Sequence, residues 1–291
     1  MIHLKFLLSV LAICAFSLPA SAQISANLKL ERQEYLAGEP VLATVTITNL
    51  AGRDLTFAGN GRIPWLIFIL KDRKGGEVHA RPNRQFGKMT IKNGQTVARK
   101  VDLSEHFFLT EAGNFNATAS IRVTNPNAED SGFSTNRVLF NQSPGRLYWS
   151  QTVGTQGGKK TRNFRVLNFT GDLKNQLYAQ ILDGASGKMV RTFRLGEVIM
   201  MRKPTVTIDG KQRMHVMFLA TPDMYVHCVV DADGRLVDRG LHQRGAYGDP
   251  QLVASGTGNV GVINSIPFDP KAAAEENAKI RKASDRPSGG F

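Results

Sequence analysis

Val41, Ala43, Val45 and Ile47 alternate with Leu42, Thr44, Thr46 and Thr48 through VLATVTITN. A period of two with β-branched residues predicts a strand with one face buried. The same alternation recurs in NLKLE, where Leu28 and Leu30 share a face, and in NATASIRV through Ala117, Ala119, Ile121 and Val123. WLIFIL, Trp65–Leu70, is apolar on both faces and is expected in the centre of the sandwich. Gly38 and Pro40 mark one turn, and Asn93-Gly94 is a strong short hairpin signal. No segment of this half carries a helical period, so short strands at regular spacing predict a sandwich.

The second half repeats itself. LYAQILDGASGKMV, Leu177–Val190, is echoed by MYVHCVVDADGRLV, Met224–Val237. Tyr225 follows Tyr178 by 47 positions, and Gly234 follows Gly187 by the same number. The register then slips by one, so that Pro204 matches Pro250, Gly210 matches Gly256 and Val216 matches Val262. A strand, a turn ending in Gly, a second strand and a further hairpin in about 45 residues is the content of a propeller blade. RLYWS and NFRVLNF read as the tail of an earlier, degenerate copy, giving about two and a half units where closed propellers use about four or more.

Tyr35-Leu36-Ala37-Gly38-Glu39-Pro40-Val41, leading into VTITN and later LTEAGNF, resembles the Ig-like domains of bacterial exported proteins. It is similar to the intracellular proteinase inhibitor type and to single macroglobulin domains, over roughly residues 27 to 123. The resemblance implies an Ig-like sandwich and, more narrowly, protease inhibition through an exposed loop, with Arg81–Lys88 and residues 124–136 as candidates. Phe115 stands at the corner where such sandwiches usually carry Tyr, so the hydrogen bond of that corner is absent.

The expected organisation is all-β: a signal peptide at 1–22, an Ig-like sandwich at 23–140, a repeat-containing β domain at 141–268, and a short helix with a disordered tail at 269–291. The signal rests on basic residues before the apolar run Phe6–Leu18, and on the small triplet Ala20-Ser21-Ala22. The run is too short to span a bilayer, so the mature chain is expected to be exported, periplasmic or extracellular, with no integral span. Asp269 and Pro270 suit the N-cap and first turn of a helix through KAAAEENAKIRKA. After removal of Cys14 with the signal, Cys228 is the one cysteine left, so no internal disulfide forms, and a small core residue is the expected role.

A formal charge of +13 favours anionic partners, but the Lys and Arg residues are scattered rather than clustered. The basic loop GTQGGKKT departs from the phosphate-loop pattern, because Lys160 separates Lys159 from Thr161. Lys159, Lys160, Arg162 and Arg165 are kept as candidate anion contacts. Gly256-Thr257-Gly258-Asn259-Val260-Gly261 spells a dinucleotide fingerprint between two strands instead of a strand and a helix, which predicts a β-turn. Asp231-Ala232-Asp233-Gly234 lacks the distal acid of a calcium loop and also predicts a turn. His215, His227 and His242 have no ligand spacing and are not expected to assemble. No catalytic residue, metal site or cofactor is assigned. The expectation is an exported, non-catalytic binding or structural protein that presents β surfaces to a protein or an anionic envelope polymer, with nucleic acid disfavoured. The alternatives are a protease inhibitor and an enzyme of unrecognised type.

Overall fold

The computed structural model describes residues 24–61, 63–82, 85–124, 132–154, 160–171 and 173–284. The expected signal segment, Lys159, most of the junction loop and the last residues of the tail lie outside them. In chain order the strands are β1 (Ile24–Leu30), β2 (Glu34–Leu36), β3 (Leu42–Asn49), β4 (Leu55–Phe57), β5 (Leu66–Asp72), β6 (Met89–Ile91), β7 (Thr96–Asp102), β8 (Gly113–Arg122), β9 (Gly132–Ser134) and β10 (Val138–Ser143). They continue as β11 (Arg146–Gly154), β12 (Thr161–Gly171), β13 (Lys174–Asp183), β14 (Met189–Glu197), β15 (Thr205–Ile208), β16 (Met214–Thr221), β17 (Met224–Val230) and β18 (Leu236–Arg244). Last come β19 (Gln251–Ala254), β20 (Val260–Ile263), β21 (Ser265–Pro267) and the helix α1 (Pro270–Ser284). The fold is all-β. No helix among the described residues is long and apolar enough to cross a membrane.

The chain divides into two units. The first comprises the stretch ending at Glu31, then Val41–Phe108 and Phe115–Leu139; the second takes Arg32–Pro40, Leu109–Asn114 and the chain from Phe140 onward. Most of the YLAGEPV residues that carry the Ig-like resemblance therefore fall in the second unit.

In the first unit β3 is the middle strand of the antiparallel sheet β1-β3-β7, and its alternation holds, with Ala43, Val45 and Ile47 buried. Leu28 and Leu30 of β1 and Ala117, Ala119 and Ile121 of β8 are buried in the same alternating way. Asn136 closes the backbone of β1 by accepting from the Leu28 amide at 2.8 Å and donating to its carbonyl at 3.0 Å. Asn93-Gly94 forms the turn between β6 and β7, with Gly94 at φ +75°, a backbone region glycine enters without steric cost. WLIFIL is apolar on both faces but is covered on one. β5 is an edge strand paired with β8; its far side makes a single bridge, from Lys71 to Glu77, and Ile69 is exposed. Leu66, Phe68 and Leu70 supply its one buried face, so the uniformly apolar run overstated how much of the strand is covered.

The second unit is a succession of sheets. β11-β12-β13-β14 make one antiparallel meander, β15-β16-β17-β18 make a second with β21 added at its edge, and β19-β20 form a hairpin. Phe164, Val166, Ala179 and Ile181 of the first meander pack against Met214, Val216, Phe218, Val226 and Cys228 of the second. The remaining face of the first meander, with Leu167, Phe169 and Tyr178, meets Leu36. The remaining face of the second, with Met217, Leu219 and Tyr225, meets Leu252 and Val262 of the hairpin. This face-to-face succession is propeller-like. Each copy of the sequence repeat straddles it: β13–β16 end one sheet and begin the next, and β17–β20 do the same.

Arg32–Pro40 is fastened to the first meander by a buried polar cluster. Arg32 pairs with Glu39 at 2.9 Å and donates to the Tyr178 hydroxyl at 3.1 Å, while Glu39 accepts from the Leu36 amide at 2.7 Å. Burying Glu39 is tolerable because its charge is paired and hydrogen-bonded. α1 begins as its residues require, with the Asp269 carboxylate accepting from the Lys271 amide at 2.8 Å and Pro270 in the first turn.

Candidate functional site

The two meanders correspond strand for strand, but not in the register that the tyrosines suggest. In the first, Leu182 pairs with Met189; in the second, Val230 pairs with Leu236. The turn of the first is therefore one residue longer. Counted from the turns, Ala179 corresponds to His227 and Ile181 to Val229. Cross-strand pairing extends the match: Phe164 lies opposite Ile181, and His215 lies opposite Val229. His215 thus takes the place of Phe164, and His227 that of Ala179. Because side chains alternate with period two, the single extra residue reverses faces. Tyr178 and Tyr225 consequently point in opposite senses, Tyr178 toward Leu36 and Tyr225 toward the β19-β20 hairpin. They form no common surface.

The face of the second meander that corresponds to an apolar interface in the first carries a chain of polar side chains. Asp209, in the turn between β15 and β16, accepts the Lys211 and Arg213 amides at 2.9 and 2.8 Å and pairs with the Arg213 guanidinium at 2.6 Å. Its second oxygen also lies 3.1 Å from His215 Nε2, and His215 Nδ1 lies 3.1 Å from His227 Nε2. The two rings are inclined by 23° with centroids 5.2 Å apart, which suits an end-to-end N–H···N hydrogen bond. His242 follows, its ring 6.1 Å from that of His227 and its Nδ1 3.3 Å from Ser265 Oγ. The expectation that the histidines stay apart is overturned: β16 and β17 are adjacent antiparallel strands, and their register brings together residues that are distant in sequence.

Burial acts to raise the Asp209 carboxyl, but the Arg213 amide, the His215 ring and the Arg213 guanidinium outweigh it and hold the group below its ordinary value. An ionised Asp209 is acceptor-only, so His215 Nε2 carries its hydrogen. Burial, with repulsion from His215 and His242, pushes His227 down to about 4, against a smaller opposing pull from Asp238. His242 is also lowered, by burial, with Asp238 pulling the other way. Relative exposures of 1% for the Asp209 side chain, 4% for that of His215 and 7% for His227 close these three groups to a substrate, while His242 is half-buried. No group of three or more His, Cys, Asp and Glu side chains able to hold a metal converges among the described residues. Cys228 lies on the opposite face, buried in the meander interface, which pushes its thiol up to about 11.

Of the proposed anion contacts, Arg162 and Arg165 are not brought together. Arg162 pairs with Asp183 at 2.9 Å and donates to the Ala232 carbonyl at 3.1 Å, while Arg165 binds the Asn163 side chain at 3.0 Å. Three positions apart on a regular strand, the two arginines lie on opposite faces of the sheet. Lys160 is exposed just before β12. The turn between β19 and β20 runs from Ser255 to Gly258, with Gly258 at φ +78°, and the last two residues of the Gly256–Gly261 motif are in β20; the Gly210 amide of the matching turn donates to the Gly258 carbonyl at 2.7 Å. Asp231 is consumed by its own turn, accepting the Asp233 and Arg235 amides. In the Arg81–Lys88 loop Phe86 stacks on His106 and receives the Trp65 indole at its carbonyl.

A more accessible surface lies on the rim beside the hairpin. Asp249 pairs with Arg202 at 3.2 Å and with Arg244 at 2.6 Å, and the Gly245 amide donates to the Asn264 carbonyl. These ties bring together the segments that carry Met201, 87% exposed, Tyr247, 91% exposed, and the exposed Ile263 and Ile266.

No family model matches the chain, and no curated protein matches its sequence. Among solved structures the chain is similar to Spo0M, the sporulation control protein of Bacillus subtilis, at 12% identity over 90% of this chain and 97% of that one, with a TM-score of 0.27.

Proposed function

We propose that the protein is an exported, non-catalytic binding protein that presents β surfaces to a protein partner, with the rim around Asp249 as its contact. The observation that carries this reading is the composition of the rim. Met, Tyr, Ile and Arg side chains stand exposed together, and these residue types are enriched where proteins anchor one another. Arg202 and Arg244 are largely exposed and exceed the single carboxylate between them, which favours a partner surface with acidic groups beside apolar ones. An enzymatic reading is weaker, because Asp209, His215 and His227 are buried away from any substrate atom. An Ig-like sandwich in the first unit belongs to the same proposal and rests on its alternating strands.

The test is in-cell crosslinking of the tagged protein, followed by capture and mass spectrometry at low and high salt, with the Met201→Ser/Tyr247→Ser variant run beside the wild type. One partner retained by the wild type in high salt and lost by the variant supports the reading. Equal capture by both overturns the rim as the contact. A catch consisting of anionic polymer that disappears as salt rises past about 0.15 M reduces the role to charge-driven adhesion and overturns specific binding.

A further inference from the structure

We infer that the seam between the second meander and the β19-β20 hairpin is a proton-sensitive clasp, so that acidification releases the hairpin while the seam between the two meanders stays closed. This goes beyond the binding reading and does not depend on any partner.

The hairpin covers the histidine face. Met217 lies opposite His227 in the β16-β17 register and packs in one cluster with Leu252 of β19 and Val262 of β20. At the other end the turn of the hairpin meets the turn that holds Asp209, through the Gly210–Gly258 bond. His215 and His227 lie between these fixed points. Their facing nitrogens, 3.1 Å apart, share a single hydrogen. With His215 Nε2–H given to Asp209, the neutral chain is complete when His227 Nε2–H donates to His215 Nδ1. A proton added at His227 Nδ1 puts a positive charge under the hairpin, and one that reaches the facing pair sets N–H against N–H and breaks the bond.

The neighbours do not relieve this. From the β15-β16 turn come Asp209 and Arg213, already paired with each other; from β18 come His242, itself basic, and Asp238, which is exposed; from β17 comes Tyr225. β21 contributes Ser265, and β19 and β20 contain no titratable residue. The corresponding positions in the first meander, Phe164 and Ala179, cannot take up a proton.

Hydrogen exchange of the full chain, read by mass spectrometry and corrected for intrinsic rates, tests this between pH 7.5 and 5. With His227 at about 4 in the closed seam and near 6.5 once exposed, opening of peptides covering 251–263 is expected to increase about 30-fold at pH 5. Peptides from β12 and β13 should change less than twofold. His215→Phe/His227→Ala, which copies Phe164 and Ala179, should abolish the rise. Equal protection of 251–263 at both pH values, or a rise shared equally by β12 and β13, overturns the inference in the wild type alone, whether or not the double variant folds. A rise that persists undiminished in a folded double variant also overturns it.

Discussion

The two seams of the second unit are built on one backbone plan and filled with different chemistry. Between the meanders, Phe164, Val166, Ala179 and Ile181 bury apolar surface, and their contribution is independent of solution conditions near neutral pH. Between the second meander and the hairpin, His215, His227 and Met217 occupy the places of Phe164, Ala179 and Val166. There Met217, Leu219 and Tyr225 pack at one end and Val229 lies beside His215, and the histidines between them rely on hydrogen bonds satisfied in one protonation state. A net hydrogen bond contributes only about 1 kcal/mol, whereas leaving a buried polar group unsatisfied costs more than that. The apolar seam therefore holds through bulk, and the polar seam through completeness.

The largest difference between the seams should come from truncating equivalent residues. Phe164→Ala is expected to cost about 3 to 5 kcal/mol in urea unfolding, because a fully buried ring leaves a cavity. His215→Ala leaves Asp209 its pair with Arg213 and should cost about 1 to 3 kcal/mol. Equal costs would break the comparison. A medium effect is expected from pH. His227 is lowered in the folded protein, so between about 6.5 and 4 the unfolded chain binds the extra proton, and stability falls as pH falls, by up to about 1.4 kcal/mol per pH unit. His242, also lowered, acts in the same direction. Asp209, lowered from its ordinary value, adds a loss only below about 4, as its carboxylate is protonated. Denaturant midpoints at a series of pH values check this; a flat profile from pH 7 to 5 would remove the distinction between the seams. The smallest effects belong to the turns. Gly187→Ala, at φ +68° with open space around it, should cost about 1 kcal/mol. Gly234→Ala should cost more, because its new Cβ would lie 2.8 Å from that of Arg191. Thermal unfolding of the two variants side by side orders them.

The alternation in VLATVTITN, NLKLE and NATASIRV placed the buried faces of β3, β1 and β8 correctly, since a period of two leaves a strand one way to turn toward a core. The Asn93-Gly94 turn, the Gly258 turn, the Asp269 cap and the hairpin-level repeat were legible for the same reason: each depends on residues within a few positions of one another. WLIFIL overstated the coverage of its strand because an apolar run does not report how many strands flank it. The histidine chain was invisible, since its members come from a turn and three strands and carry no ligand spacing.

Local chemistry in the sequence determined the strands, the turns, the capped helix and the existence of a repeated β unit. Which face of each repeat is turned toward which neighbour was decided only in the tertiary structure. One extra residue in a turn reverses every side chain of the strand before it, so Tyr178 and Tyr225 diverge and His227 comes to face His215. Sequence spacing does not carry that information, because contacts between strands depend on register, and register is set by how whole sheets pack.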